Sequence, residues 1–268
     1  MKPSVSYVLF TDLDGTLLDH DSYSFQPAEA ALEEVRARKV PLVLCTSKTR
    51  AEVEAVRAEL GNADPFIVEN GAAVYVPTGY FPFRLAGWGS TGDYDVLQWG
   101  VPYPEVVAAL RRASARSGCP VRGFHDLTVA QLALRCRMSV GDATRAKQRE
   151  FDEPFEALTD SPTLLGALLN RIEEEGLSWT RGGRFYHIRG RHNKGQAAEM
   201  LAKLFRRAHP GLVTVGLGDG PNDLSLLQAV DLPIRIPTKR QSNLHGPLGW
   251  NRAVLRLFEP PRPVAAGC

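Results

Sequence analysis

Apolar residues gather in short unbroken runs at the start of the chain, and amphipathic stretches separate them. The run VSYVLF (Val5 to Phe10) has the length of a buried strand. Pro27 then opens AEAALEEVRARK, where Ala31, Leu32 and Val35 share one helical face. PLVLC predicts a second strand. Thr49-Arg-Ala-Glu52 has the spacing of a capping box, and the helix after it carries Val53, Val56 and Leu60 before Gly61 stops it. PFIVEN predicts a third strand. Strands alternating with helices imply a parallel sheet with crossover helices.

The rhythm breaks after VYVPTGYFPF. Residues 84–100 are glycine-rich, carry Trp88 and Trp99, and show no clear period. A helix is expected over 104–117, ending near Gly118, and LALRCRMSV reads as a strand. Ser161-Pro162 starts a helix with Leu164, Leu165, Leu168 and Ile172, closed by Gly176. LSWTR-GG-RFYHIRG predicts a hairpin around its two glycines. The α/β pattern then resumes, with a helix capped by Asn193, the strand LVTVGLG, the short helix PNDLSLLQA, the strand LPIRI and a last helix over 249–258. This organisation predicts a Rossmann-like α/β core from residues 1–83 and 190–268, interrupted by an α+β unit over 84–189.

Composition narrows the classes. A chain of 268 residues, 44% hydrophobic and 23% charged, is long enough for a large core. Net charge is +2, with 30 acidic residues interspersed among the basic ones, which argues against nucleic acid as a partner. No apolar run approaches the ~20 residues of a membrane span, and the N-terminal stretch lacks a signal-peptide core. Cys45, Cys119, Cys136 and Cys268 are widely spaced, with no CxxC pair, which fits free thiols in a cytoplasmic protein.

Ligands of an open parallel sheet bind beyond the carboxyl ends of its strands. Asp12 and Asp14 follow the first strand, Thr46, Ser47 and Lys48 the second, and Asp219, Asn222 and Asp223 the GLG strand, while Lys194 opens the preceding helix. Asp12 and Asp14, two apart, share a face. With Asp219 they form a negative cluster that calls for a cation, and few all-oxygen donors suit Mg²⁺ beside a phosphate. Lys194 and a hydroxyl from Thr46 or Ser47 suit phosphoryl oxygens. Thr46, first after the apolar run, is the favoured donor. Glu69 and Asn70 end the third strand near this crevice, where contact with substrate and structural satisfaction are both open.

DLDGT, the hydroxyl after LVLC, Lys194 and GDGPND, in this order, resemble the four motifs of the haloacid dehalogenase superfamily. The insertion between the second and third motifs resembles that superfamily's type-IIB cap. The resemblance implies that Asp12 is the nucleophile, forming an aspartyl-phosphate, and that Asp14 is the acid/base. It implies Mg²⁺ held by the Asp12 and Asp219 carboxylates and the Asp14 main-chain carbonyl, with Asn222 and Asp223 orienting Lys194 or the metal's waters. CTSKTRAEVE, AKQREFDEPF and GGRFYHIRGRHNKGQA further resemble mannosyl-3-phosphoglycerate phosphatases, which implies a phosphorylated sugar-glycerate as substrate. Arg149, Glu153, Arg184 and His187 are then the candidate substrate residues of the inserted unit. Against this, Arg149 and Glu153 have the spacing of a helical ion pair, and a hairpin histidine is commonly a packed one. Other phosphosugar phosphatases, a phosphomutase and a non-catalytic phosphosugar binder are the competing readings.

Overall fold

The computed structural model describes residues 6–181 and 184–259. Two sheets organise them. The chain begins with β1 (Tyr7–Thr11), α1 (Glu29–Ala37), β2 (Leu42–Cys45), α2 (Arg50–Leu60), β3 (Phe66–Val68) and β4 (Ala73–Pro77). Next come β5 (Gly89–Thr91), β6 (Tyr94–Gln98), α3 (Tyr103–Ser117), β7 (Val121–Gly123), α4 (Val129–Cys136), α5 (Val140–Ala146) and β8 (Asp152–Ala157). α6 (Pro162–Glu174), β9 (Ser178–Arg181), β10 (Tyr186–Arg189), α7 (Lys194–Ala208), β11 (Val213–Gly218), α8 (Leu224–Ala229), β12 (Leu232–Arg235) and α9 (Gly246–Phe258) complete it.

The larger sheet has the order β12-β11-β1-β2-β3-β4-β6-β5. From β12 to β3 the neighbours are parallel, and from β3 to β5 they are antiparallel. Its strands β1, β2, β3, β4 and β11 are buried on both faces. Leu9, Leu44 and Phe66 pack toward α1 and α9, whereas Val8, Phe10 and Val43 pack toward α7. This two-sided burial explains why β1, β2 and β11 read as continuous apolar runs rather than alternating ones. The capping box on α2 forms as expected: Thr49 accepts from Glu52 N–H while the Glu52 side chain accepts from Thr49 N–H.

The smaller sheet is antiparallel, in the order β7-β8-β10-β9, and α3 and α6 pack over its Phe155 and Ile188, α6 through Leu168 and Ile172. β9 and β10 pair as the expected hairpin arms, and the Gly182-Gly183 turn lies outside the described residues.

Three expectations change. LALRCRMSV is not a strand: α4 and α5 occupy it, broken by Arg137 at φ 56°. The capping box Thr128–Gln131 and the cap Ser139 start these two helices, and Leu132, Ala133 and Cys136 bury one face. β5 and β6 fall within 84–189 yet hydrogen-bond to the larger sheet, and Trp88 and Trp99 pack on that sheet's core. Finally, Arg149 and Glu153 do not share a helix, because β8 begins at Asp152. Among the described residues, no helix is long and apolar enough to cross a membrane.

Candidate active site

β1 and β11 run side by side, with Thr11 opposite Leu217, so the segments that follow them emerge together. Asp12 leaves β1 with its N–H bonded to Leu217 O at 2.9 Å. Thr11 Oγ1 donates to Asp12 O and accepts from the Trp250 indole at 3.0 Å, so α9 buttresses this strand end. Gly15 turns the chain at φ 80°, and a Cβ there would stand 2.9 Å from Asp219 Oδ2. Only glycine lets the two loops approach this closely. Thr16 Oγ1 then donates to Asp219 Oδ1 at 2.9 Å.

The Lys194 ammonium, 1% exposed, lies 2.6 Å from Asp12 Oδ1 and 2.6 Å from Asp223 Oδ1. Asn193 places it by capping α7 through Gln196 N–H. Burial works against the charge of Lys194, but Asp12 and Asp223 outweigh it and hold the group above the ordinary lysine range. Asp12 is driven well above the usual carboxylate range by burial first and then by Asp223, with Lys194 opposing and Asp219 adding. Burial also raises Asp219.

Oxygens of Asp12, Asp219 and Asp223 lie within 4.8 Å of one another. One ammonium balances three carboxylates, so the donor set fits a divalent cation. Asp223 spends Oδ1 on Lys194 and Oδ2 on the N–H groups of Asp219 and Gly220. Asp12 and Asp219 each retain an oxygen with no hydrogen bond among the described residues. Those two carboxylates are therefore the better ligands, and Asp223 is better placed to orient Lys194 and the loop.

The Asp14 carboxylate is not one of these three; it lines the same cavity and lies 3.0 Å from Lys48 Nζ. Lys48 also lies 3.7 Å from Glu52 and sits over the Tyr23 ring. Despite burial, Asp14 and Glu52 raise the pKa of Lys48 above the lysine range. Its position after β2 was visible in the sequence, but its pairing with Asp14 required the fold. Thr46 is fully buried, and its Oγ1 accepts from Lys48 N–H at 3.2 Å. Ser47, rather than Thr46, lines the cavity above Asp12.

That cavity, about 420 Å³, has Asp12, Asp14, Ser47, Asp219 and Asn222 on one side and Arg149, Arg184 and His187 on the other. Arg149 Nη1 donates to Ser47 O at 2.9 Å and stands 3.6 Å from Asp152. Arg184 donates to the carbonyls of Arg135 and Cys136. His187 Nδ1 lies 2.7 Å from Asp152 Oδ1. Burial opposes the charge of Asp152, yet His187 and Arg149 bring its carboxyl down to about 2.

Glu153 is absent from this wall. Successive strand residues face opposite ways, so β8 turns Pro154 to the cavity and Glu153 inward. There it accepts from the Tyr103 hydroxyl at 2.7 Å and from His125 N–H at 2.9 Å, and burial raises its carboxyl to about 7. The sequence reading missed Asp152, Tyr23 and Phe185; no motif spacing marks them, since they reach the site from separate elements.

A sequence model described as haloacid dehalogenase-like hydrolase matches residues 9–81. The chain is 35% identical to the glucosyl-3-phosphoglycerate/mannosyl-3-phosphoglycerate phosphatase of Methanococcoides burtonii, over 95% of this chain and 98% of that one. It is 37% identical to the protein of the same name from Persephonella marina, over 97% and 99% of the two chains. Its fold matches the sucrose-phosphatase of Synechocystis with a TM-score of 0.61, covering 95% of this chain and 99% of that chain at 13% identity. The α/β core, the second sheet above it and the nearly full-length likeness agree: the chain belongs to the haloacid dehalogenase-like hydrolases, in the family of the glucosyl-3-phosphoglycerate/mannosyl-3-phosphoglycerate phosphatases.

Proposed function

We propose that this protein hydrolyses the phosphate ester of 3-phosphoglycerates that carry a mannosyl or glucosyl group, through an aspartyl-phosphate on Asp12. The observation that carries this reading is the buried Asp12–Lys194 pair beneath a cavity whose facing wall holds Arg149, Arg184 and His187. The carboxylate and ammonium suit phosphoryl transfer. Guanidinium and imidazole groups suit a glycerate carboxylate and sugar hydroxyls. The names of the full-length relatives support the same substrate.

In the first step an Asp12 oxygen bonds to phosphorus as the ester P–O bond breaks, and Asp14 gives its proton to the departing glycerate oxygen. In the second, Asp14 takes a proton from a water whose oxygen attacks phosphorus, the bond to Asp12 breaks and phosphate leaves. Lys194, with the hydroxyl of Ser47 or Thr46, holds the phosphoryl oxygens. Mg²⁺ is the proposed metal, held by the Asp12 and Asp219 carboxylates and the Asp14 carbonyl; when bound it offsets the clustered negative charge. Asn222 and Asp223 orient their neighbours.

We further propose that the inserted unit runs from the crossing at residues 99–102 to that at 190–193, because β5 and β6 belong to the larger sheet. A cytoplasmic location fits the buried free thiols Cys45, Cys119 and Cys136.

The test is phosphate release from the two glycosyl-3-phosphoglycerates, set against sucrose, trehalose and hexose phosphates, with and without EDTA and with no added bisphosphate. Preference for a glycosyl-3-phosphoglycerate supports the reading. Preference for another sugar phosphate overturns the substrate, and turnover only with a bisphosphate points to a mutase.

A further inference from the structure

Behind the cavity, between the two sheets, Glu69, Asn70 and Asp152, which the reaction above does not use, form a buried polar chain that reaches Asn222 and His187 in the cavity lining. After β3 the backbone takes three successive left-handed residues: Glu69 at φ 45°, Asn70 at φ 61° and Gly71 at φ 94°. Two of them are not glycine, so the turn is strained, and such strain persists where surrounding contacts over-determine it. The contacts are plain. A Cβ on Gly71 would stand 2.2 Å from Asn193 O, so this turn lies directly against the residue that caps α7 and precedes Lys194. The Glu69 carboxylate accepts from the N–H groups of Glu150 and Phe151, both at 2.9 Å. Those residues lead into β8 of the smaller sheet.

Asn70 sits at the centre. Its Nδ2 donates to Asp152 Oδ2 at 2.9 Å, and its Oδ1 accepts from Asn222 Nδ2 at 3.2 Å. Asp152 in turn holds His187 through Oδ1. With Nδ1 engaged by Asp152, Nε2 is the remaining polar atom of the His187 ring, which lines the cavity. Asn222 lies in the loop that carries Asp219 and Asp223. One amide side chain, 1% exposed, therefore ties the substrate wall of the smaller sheet to the carboxylate loop of the larger one.

We propose that Asn70 is a positioning residue for the phosphatase reaction. Its amide sets the His187–Asp152 pair in register with Asn222, so that substrate held by one sheet meets the phosphoryl-transfer groups of the other. The polarity is specific. Asp152 is an acceptor, so position 70 must donate to it; Asn222 donates through Nδ2, so position 70 must also accept. An amide offers both, on one short planar group and with no change of protonation. Asn also tolerates the left-handed backbone there. The proposal rests on the phosphatase reading, and the experiment separates the two.

Wild-type turnover of the glycosyl-3-phosphoglycerates tests the reading. The ratio of variant to wild type, on whichever phosphate ester the wild type hydrolyses, tests Asn70. Asn70→Gly removes the amide without penalising φ. Asn70→Asp sets a carboxylate against Asp152. The double variant Asn70→Asp with Asp152→Asn exchanges donor and acceptor, and keeps an acceptor for His187 and Asn222. We expect Asn70→Gly and Asn70→Asp to lose roughly 10- to 100-fold in kcat/KM, with kcat falling even at saturating substrate. We expect the exchanged pair to recover most of that loss. Thermal unfolding of each variant is measured alongside. Normal kcat and KM with only a lowered Tm would assign Asn70 a structural role and overturn the proposal, as would failure of the exchange to restore a folded but impaired Asn70→Asp. If Asn70→Gly does not fold, Asn70→Asp and the exchanged pair decide; an Asn70→Asp enzyme as active as wild type also overturns it.

Discussion

Lys194 Nζ lies 2.6 Å from Asp12 Oδ1, and both groups are withdrawn from solvent. The ammonium also holds Asp223 at 2.6 Å, so its removal strands two buried carboxylates at once. Lys194→Met is expected to lower kcat by roughly 10²- to 10³-fold, the scale of losing one fixed charge at a reacting group. The folded protein should survive because Asp12, already driven upward by burial, can take a proton instead. Steady-state kinetics and circular dichroism check both halves.

The two aspartates after β1 have different surroundings and should fail differently. On the proposed mechanism Asp12→Asn removes the atom that bonds phosphorus and should lower turnover by at least about 10⁴-fold. Asp14→Asn should cost roughly 10²- to 10⁴-fold on the natural ester. An aryl phosphate needs little help in leaving, so with that substrate the Asp14→Asn enzyme should accumulate phosphate on Asp12. Intact-protein mass spectrometry after an acid quench reads this directly.

Removing divalent metal should abolish phosphate release, and adding Mg²⁺ should restore it. Binding should also show in stability, since a cation that offsets Asp12 and Asp219 binds only the folded site. At a hundred times its dissociation constant it adds about 2.7 kcal/mol. Differential scanning calorimetry with EDTA and with Mg²⁺ measures that difference, and Asp219→Asn should diminish it.

Arg184 and Glu153 make a contrasting pair. Arg184 lines the cavity, so Arg184→Ala should raise KM for the glycosyl-3-phosphoglycerate about 10- to 100-fold, the scale of a charged hydrogen bond. Glu153 is buried against Tyr103 and His125 on the other face of β8. Glu153→Gln should leave KM unchanged and register in unfolding measurements instead.

His192, 3% exposed, makes no hydrogen bond through either ring nitrogen among the described residues. Burial, followed by the Arg189 charge, pushes its pKa down to about 4, while Asp152 pulls the other way. The unfolded chain therefore binds this proton more readily than the folded one. The associated stability is present above the ordinary histidine value of about 6.5 and is lost as pH falls from there toward 4. The full difference is on the order of 3 kcal/mol. Urea unfolding at pH 4.5 and pH 7 should show a smaller loss for His192→Leu than for the wild type.

The sequence by itself determined the parallel core and placed the candidate reacting groups at the ends of its strands. Apolar runs ending in Asp12, Cys45 and Gly218 announce strands buried on both faces, and in such sheets whatever follows a strand converges at one edge. Thr49, Gly61 and Asn193 fix helix ends through local hydrogen bonds, which a short window of residues can show. The tertiary structure decided what no window contains. The face that Glu153 presents depends on where β8 begins and on its register with β10. Asp152 joins the candidate site only because Asn70 and His187, 82 and 35 residues away, meet it. β8 carries Asp152 and Glu153 on adjacent positions, one to each face, and strand alternation alone does not say which side is the cavity. Only the packing of α3 and α6 against one face, which leaves the other toward the cavity, settles that.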